Sequence, residues 1–131
     1  MAAALGCQPR EVVFTSCGTE SDNWALRLGA ERNRHKAATS SPPPSSTAPS
    51  SRPAVSWRQR RWEGHLPAPQ PEGTVSLSDL EAALRPETAL VSMMLVNNEV
   101  GTVLPVREAA ALVKRYDRRI LFHTDAVQGF L

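Results

Sequence analysis

Three short runs in this 131-residue chain combine residue types that could hold an anionic, ring-containing cofactor. The first is Thr15-Ser16-Cys17-Gly18-Thr19-Glu20-Ser21-Asp22-Asn23. Gly18 permits close backbone approach and Thr19 offers a hydroxyl. If a helix starts here, its free N–H groups and positive end favour a phosphate. The plainer role is that Ser16 or Thr19 simply caps that helix. The second run is Asn97-Asn98-Glu99-Val100-Gly101-Thr102, where an Asn98 amide could donate to an anionic ring oxygen, or where Asn and Gly could simply form a turn. The third is His123-Thr124-Asp125-Ala126-Val127-Gln128. Asp125 ends an apolar run, and a carboxylate there is costly unless paired. A protonated pyridine nitrogen would be a suitable partner and would hold the ring as an electron sink. A helix-capping role or an arginine partner is the alternative. Gln128, three residues on, could reach the same ring edge as Asn98. His123 projects to the same side of its strand as Asp125 and reads as a satisfied, half-buried histidine rather than a base.

The elements that must position these runs follow from periodicity. Residues 11–15 form a β-branched and aromatic stretch, read as a buried strand. A helix over residues 21–32 follows, with Trp24 and Leu28 on one face. Ser78-Asp79-Leu80-Glu81 has the capping-box form, with Ser78 as N-cap of a short helix ending near Arg85, before Pro86. Residues 90–96 are continuously apolar apart from Ser92, as in a central parallel strand. Pro105 opens another helix, with Val106, Ala109, Ala110, Val113 and Tyr116 on one face. Residues 120–124 are the last strand. Strands alternating with helices give an α/β domain with a largely parallel sheet. All three runs fall at carboxyl ends of its strands, where such sheets bind ligands.

Residues 37–71 differ from their surroundings. They hold eight of the 11 prolines (all but Pro9, Pro86 and Pro105), many serines and a basic cluster at Arg58, Arg60 and Arg61. No helical or strand period is sustained, so the segment reads as a disordered insert. A strand–helix–strand stretch read in a shifted frame is the competing explanation, since the spacing between the flanks is near normal. The chain thus divides into residues 1–36, a first strand–turn–helix; 37–71, the irregular segment; and 72–131, the continuation of the same domain.

The bulk composition excludes several function classes. A net charge of +2, from 15 basic and 13 acidic residues, is too balanced to argue for nucleic acid. No apolar run is long enough to span a membrane. Two cysteines, Cys7 and Cys17, make no disulfide framework, so a reducing, cytoplasmic compartment is expected.

Taken together, the three runs resemble the cysteine desulfurase family, selenocysteine lyases included, within the class V aminotransferase group. The resemblance covers residues 5–30 and 73–130. Ser16-Cys17-Gly18-Thr19-Glu20-Ser21-Asp22-Asn23 is similar to the family's Ser-Gly-(Gly/Ala)-Thr-Glu-Ser-Asn/Asp-Asn motif, and the Asn98 and Asp125 runs match closely. The resemblance implies part of the large cofactor-binding domain of a fold type I, aspartate aminotransferase-like enzyme. The cofactor implied is pyridoxal 5′-phosphate (PLP), with Gly18 and Thr19 at its phosphate, Asn98 and Gln128 at its phenolic oxygen and Asp125 at its pyridine nitrogen. It also implies a homodimer that removes sulfur from L-cysteine, leaving alanine and an enzyme persulfide for iron–sulfur cluster or thio-cofactor synthesis. A selenocysteine lyase, or a non-catalytic form that binds a full-length subunit or a sulfur acceptor, is the alternative.

The sequence departs from the family at three places. Its Schiff-base lysine, in a Ser-x-His-Lys motif, and its persulfide-forming cysteine both lie beyond the position corresponding to Leu131. His35-Lys36 lies upstream of Asn98 and is not read as a substitute, and Lys114 reads as a solvated charge. Cys17 reads as a small turn residue. Where the family has a Glu-His pair whose histidine stacks on the cofactor ring, Arg52 stands in place of the histidine, and His65 is too far along. No catalytic residue is therefore assigned, and the 131 residues alone are expected to be a fragment without activity. Organellar import stays open, because the family's short N-terminal segment is expected to precede Met1.

Overall fold

The computed structural model describes residues 1–32, 74–99 and 101–129. The irregular segment 37–71, with the His35-Lys36 pair, Arg52 and His65, lies outside the described residues, as does Val100 of the second run.

A short helix α1 (Ala2–Leu5) ends at Gly6 in the left-handed conformation, φ 65°. A 3-10 turn over Pro9–Glu11 follows, closed by the Glu11 carboxylate, which accepts from the Gln8 N–H at 2.7 Å. This corrects the expectation of a buried strand at residues 11–15. Pro9 and the capping carboxylate draw Glu11 into the turn. Residues 12–15 carry no strand, and Val13 and Phe14 are 59% and 82% exposed. Helix α2 then runs Gly18–Arg32. It begins three residues before the expected start, inside the first chemical run. Trp24 and Leu28 share a face as expected, but that face is exposed. The covered face carries Asp22, Leu26 and Gly29 at the i, i+4, i+7 spacing of a helix stripe.

Helix α3 (Leu77–Ala83) is capped by Ser76, whose Oγ accepts from the Ser78 N–H at 3.2 Å. Ser78 was the expected cap. The helix starts earlier because the Ser76 hydroxyl satisfies one of the free N–H groups of the first turn. Strand β1 (Leu90–Met94), helix α4 (Val106–Tyr116) and strand β2 (Leu121–Asp125) complete the order. β1 and β2 pair in parallel, with Leu90 beside Leu121, Ser92 beside His123 and Met94 beside Asp125.

The two faces of this sheet are used differently. Side chains alternate across a strand. Val91 and Met93 point into a cluster with Leu80, Val113 and Ile120, against which Phe122 packs, so α3 and α4 cover that face. Leu90 and Leu121 meet Gly29 of α2 on the other face. A layer of helix on each side is why β1 is buried along nearly its whole length. On α4 the buried residues are Ala109, Leu112 and Val113, whereas Tyr116 of the expected face is 45% exposed. Lys114 is exposed, but its ammonium is not merely solvated. It donates to the Ile120 carbonyl at 2.5 Å and that of Arg118 at 3.4 Å, tying the end of α4 to the entry of β2.

Candidate functional site

His123 and Asp125 alternate with Phe122 and Thr124, so they share with Leu121 the face of β2 that α2 covers. Asp22, one turn inside α2, meets both. The Asp22 and Asp125 carboxyl groups are hydrogen-bonded to one another. Burial of Asp22, then the charge of Asp125 and that hydrogen bond, push the Asp22 carboxyl up to about 6. Two adjacent carboxylates cannot both stay ionised cheaply, so the pair holds a proton well above the usual carboxylate range. His123 Nε2 lies 3.6 Å from Asp22 Oδ1, and its Nδ1 shares a 2.9 Å hydrogen bond with the Ser92 hydroxyl on β1. Burial lowers the His123 pKa, opposed by the charge of Asp125. The ring is therefore neutral at pH 7, and its approach to Asp22 is not an ion pair. This is the satisfied, half-buried histidine expected from the sequence.

Asp125 is held from its own side as well. Its Oδ1 accepts from the Val127 N–H at 3.0 Å, which orders the turn that follows β2. That turn joins the other two runs. A Cβ on Gly18 would lie 2.9 Å from Val127 Cγ2, so the start of α2 presses on the turn. A Cβ on Gly129 would lie 2.8 Å from Leu95 and 2.9 Å from Val96, so the segment leading into the second run presses on it too. The Leu95 N–H also donates to the Asp125 carbonyl at 2.8 Å.

The second run is a tight reversal. Val96 and Val103 form an antiparallel bridge, Gly101 adopts φ 72°, and the Gly101 N–H donates to the Asn97 carbonyl at 3.0 Å. Asn97, 1% exposed, accepts from the Glu99 N–H through Oδ1 at 2.8 Å. Asn98 is thereby carried on the exposed side of the turn, and Gln128 on the exposed turn after β2.

At the start of α2, Gly18 is half-buried and Thr19 exposed. Glu20 accepts both the Ser16 hydroxyl and the Ser16 N–H at 2.7 Å, and these bonds lower its pKa. Cys17 is a free, exposed thiol whose carbonyl accepts the first helical bond, from Ser21. The structure thus places Gly18, Thr19 and Asp125 around one α2–β2 corner, with the Asn98 and Gln128 turns beside it. Two residues of this corner escaped the sequence reading. Asp22 was signalled by lying on the same helix stripe as Leu26 and Gly29, and Ser92 by being the one polar residue of an apolar run.

The class-V aminotransferase family model matches residues 1–131. The chain belongs to that family. It is 38% identical over 133 residues to a mitochondrial cysteine desulfurase of Arthroderma benhamiae, covering 98% of this chain and 26% of that protein. It is 40% identical over 134 residues to the cysteine desulfurase IscS of Methanosarcina thermophila, covering 98% and 31%. Among solved structures, a NifS-like protein superposes with a TM-score of 0.88 at 35% identity, over 97% of this chain and 35% of that one. The chain therefore spans about a quarter to a third of the length of these relatives. The α/β fold with a parallel sheet is that of these enzymes. No helix among the described residues is long and apolar enough to cross a membrane.

Proposed function

We propose that this chain supplies part of the PLP platform of a cysteine desulfurase. The observation that carries the reading is the meeting of the α2 start with the Asp125 carboxylate, through the Gly18–Val127 contact and the Asp22–Asp125 hydrogen bond. The corner fits the cofactor chemically. A 15-residue helix begins here with an exposed threonine in its first turn, whose N–H groups lack partners within the helix, as suits a phosphate. Among the described residues no lysine or arginine pairs with Asp125, so its half-buried carboxylate is available to a protonated ring nitrogen.

In this reading Gly18 and Thr19 hold the phosphate. Asn98 and Gln128 donate to the phenolic oxygen from their adjacent turns. Asp125 keeps the ring nitrogen protonated, and the Val127 N–H fixes its carboxylate in orientation. When bound, the cofactor supplies an electron-accepting ring that stabilises charge at the substrate α-carbon. The relatives are named cysteine desulfurases, which supports cysteine as the substrate; removal of its sulfur would leave alanine. The whole protein is then a homodimer that passes sulfur to an acceptor protein. The two free cysteines of this chain suit a reducing compartment such as the cytoplasm.

Equilibrium dialysis against pyridoxine 5′-phosphate, the alcohol form that cannot form lysine adducts, tests the reading. Retention by the 131-residue chain that weakens about tenfold in Thr19→Ala and in Asp125→Ala is expected, the scale of one lost charge-assisted hydrogen bond. Equal retention by both variants and the unsubstituted chain contradicts it.

A further inference from the structure

We propose that Asp22 is a positioning residue for Asp125, held in place by His123 and Ser92. The assignment of a ring nitrogen to Asp125 rests on the function proposed above; the coupling of the two carboxyl groups does not. Four side chains form one line across three elements, with Ser92 on β1, His123 and Asp125 on β2, and Asp22 on α2. Each link restricts the next. The Ser92 hydroxyl and the buried Nδ1 fix the imidazole ring. The other ring nitrogen then faces Asp22 Oδ1 at 3.6 Å. Asp22 in turn meets Asp125, whose Oδ1 is already committed to the Val127 N–H.

The charges decide where the proton sits. Asp22 faces His123 and Asp125 from β2. On its own helix the residues one turn away are Gly18, Thr19, Ala25 and Leu26, all uncharged. With a neutral imidazole, no cation among the described residues pairs with Asp22. The proton therefore resides on Asp22, the carboxyl whose pKa is raised, and Asp22 donates it to Asp125. A cationic ring nitrogen docking on Asp125 competes with that hydrogen bond, which weakens what holds the proton on Asp22. Asp22 then releases it to solvent, and docking strengthens as pH rises through the Asp22 titration.

The test uses the full chain with Asp22→Asn, which keeps the shape and a donor but cannot titrate, and Asp22→Ala, which keeps neither. In the ligand-free chain, the Asp22 carboxyl 13C resonance is expected to titrate near pH 6 and to move down in Asp125→Asn. The dissociation constant for pyridoxine 5′-phosphate, divided at each pH by that of Asp22→Asn, is expected to fall about tenfold from pH 5 to 7. Asp22→Ala is expected to bind about tenfold more weakly. An Asp22 resonance in the ordinary carboxylate range, or Asp22→Ala binding like the unsubstituted chain across this pH range, overturns the proposal. Binding by none of the chains, with the coupled titration intact, overturns the functional reading and supports the Asp22–Asp125 coupling, so the two failures are distinct.

Discussion

The carboxyl groups of Asp22 and Asp125 are hydrogen-bonded across the interface of α2 and β2, and the Asp22 carboxyl is pushed up to about 6 from its ordinary 3.8. A carboxyl with a raised folded-state pKa contributes stability that is fully present below its unfolded value and is lost as pH rises through its folded value. The chain is therefore expected to lose stability between about pH 4 and 7 through this group, by about 1–2 kcal/mol once the carboxyl's residual solvent contact is discounted. Asp22→Asn removes that slope. Urea denaturation from pH 4 to pH 8 checks it, and parallel profiles for the two chains would show that Asp22 is not the titrating group.

Gly129 and Gly18 are expected to differ in their tolerance of a methyl group. A Cβ on Gly129 meets two side chains at once, 2.8 Å from Leu95 and 2.9 Å from Val96. Two side chains must shift together to admit the methyl group, so Gly129→Ala should cost about 1–3 kcal/mol. A Cβ on Gly18 meets one atom of Val127, a residue 66% exposed and able to yield. Gly18→Ala should cost less than about 1 kcal/mol. Thermal melts of the two variants give the comparison, and equal losses would contradict it.

Asn97 holds the second run in shape. Its buried Oδ1 accepts from the Glu99 N–H, so Asn97→Ala should cost about 1–3 kcal/mol. The denaturant midpoint measures it, and a loss below about 0.5 kcal/mol would show that this bond does not hold the turn.

Leu80 is fully buried between α3 and the sheet, and Leu80→Ala should cost about 2–5 kcal/mol. Phe14 is 82% exposed, and Phe14→Ser should cost less than about 0.5 kcal/mol. A large loss for Phe14→Ser would mean that residues 11–15 are covered after all.

The parts of the fold legible in the sequence were those with a sustained period or a continuous apolar run. Helix α4 and strands β1 and β2 lie within a residue or two of expectation. β1 is buried along nearly its whole length and so reads as an apolar run, and α4 keeps a helical period of buried residues. Residues 11–15 carry strand-like side chains, but propensity is a weak prior against tertiary context. The cap of α3 was displaced by two residues because Ser76 and Ser78 are equally good caps by type, and only the hydrogen bond separates them. Three runs at strand ends suggested one site from sequence. The Asp22–His123 and Ser92–His123 relations were not legible, since they join residues far apart in the chain and depend on strand register.

The central claim is that Asp125 offers its carboxylate to a protonated ring nitrogen. The most direct test is the 15N chemical shift of ring-labelled pyridoxine 5′-phosphate bound to this chain and to Asp125→Ala, above the free ligand's nitrogen pKa. A protonated nitrogen on the unsubstituted chain that reverts to the free-ligand shift in Asp125→Ala is the predicted result. The same shift on both chains would contradict the account.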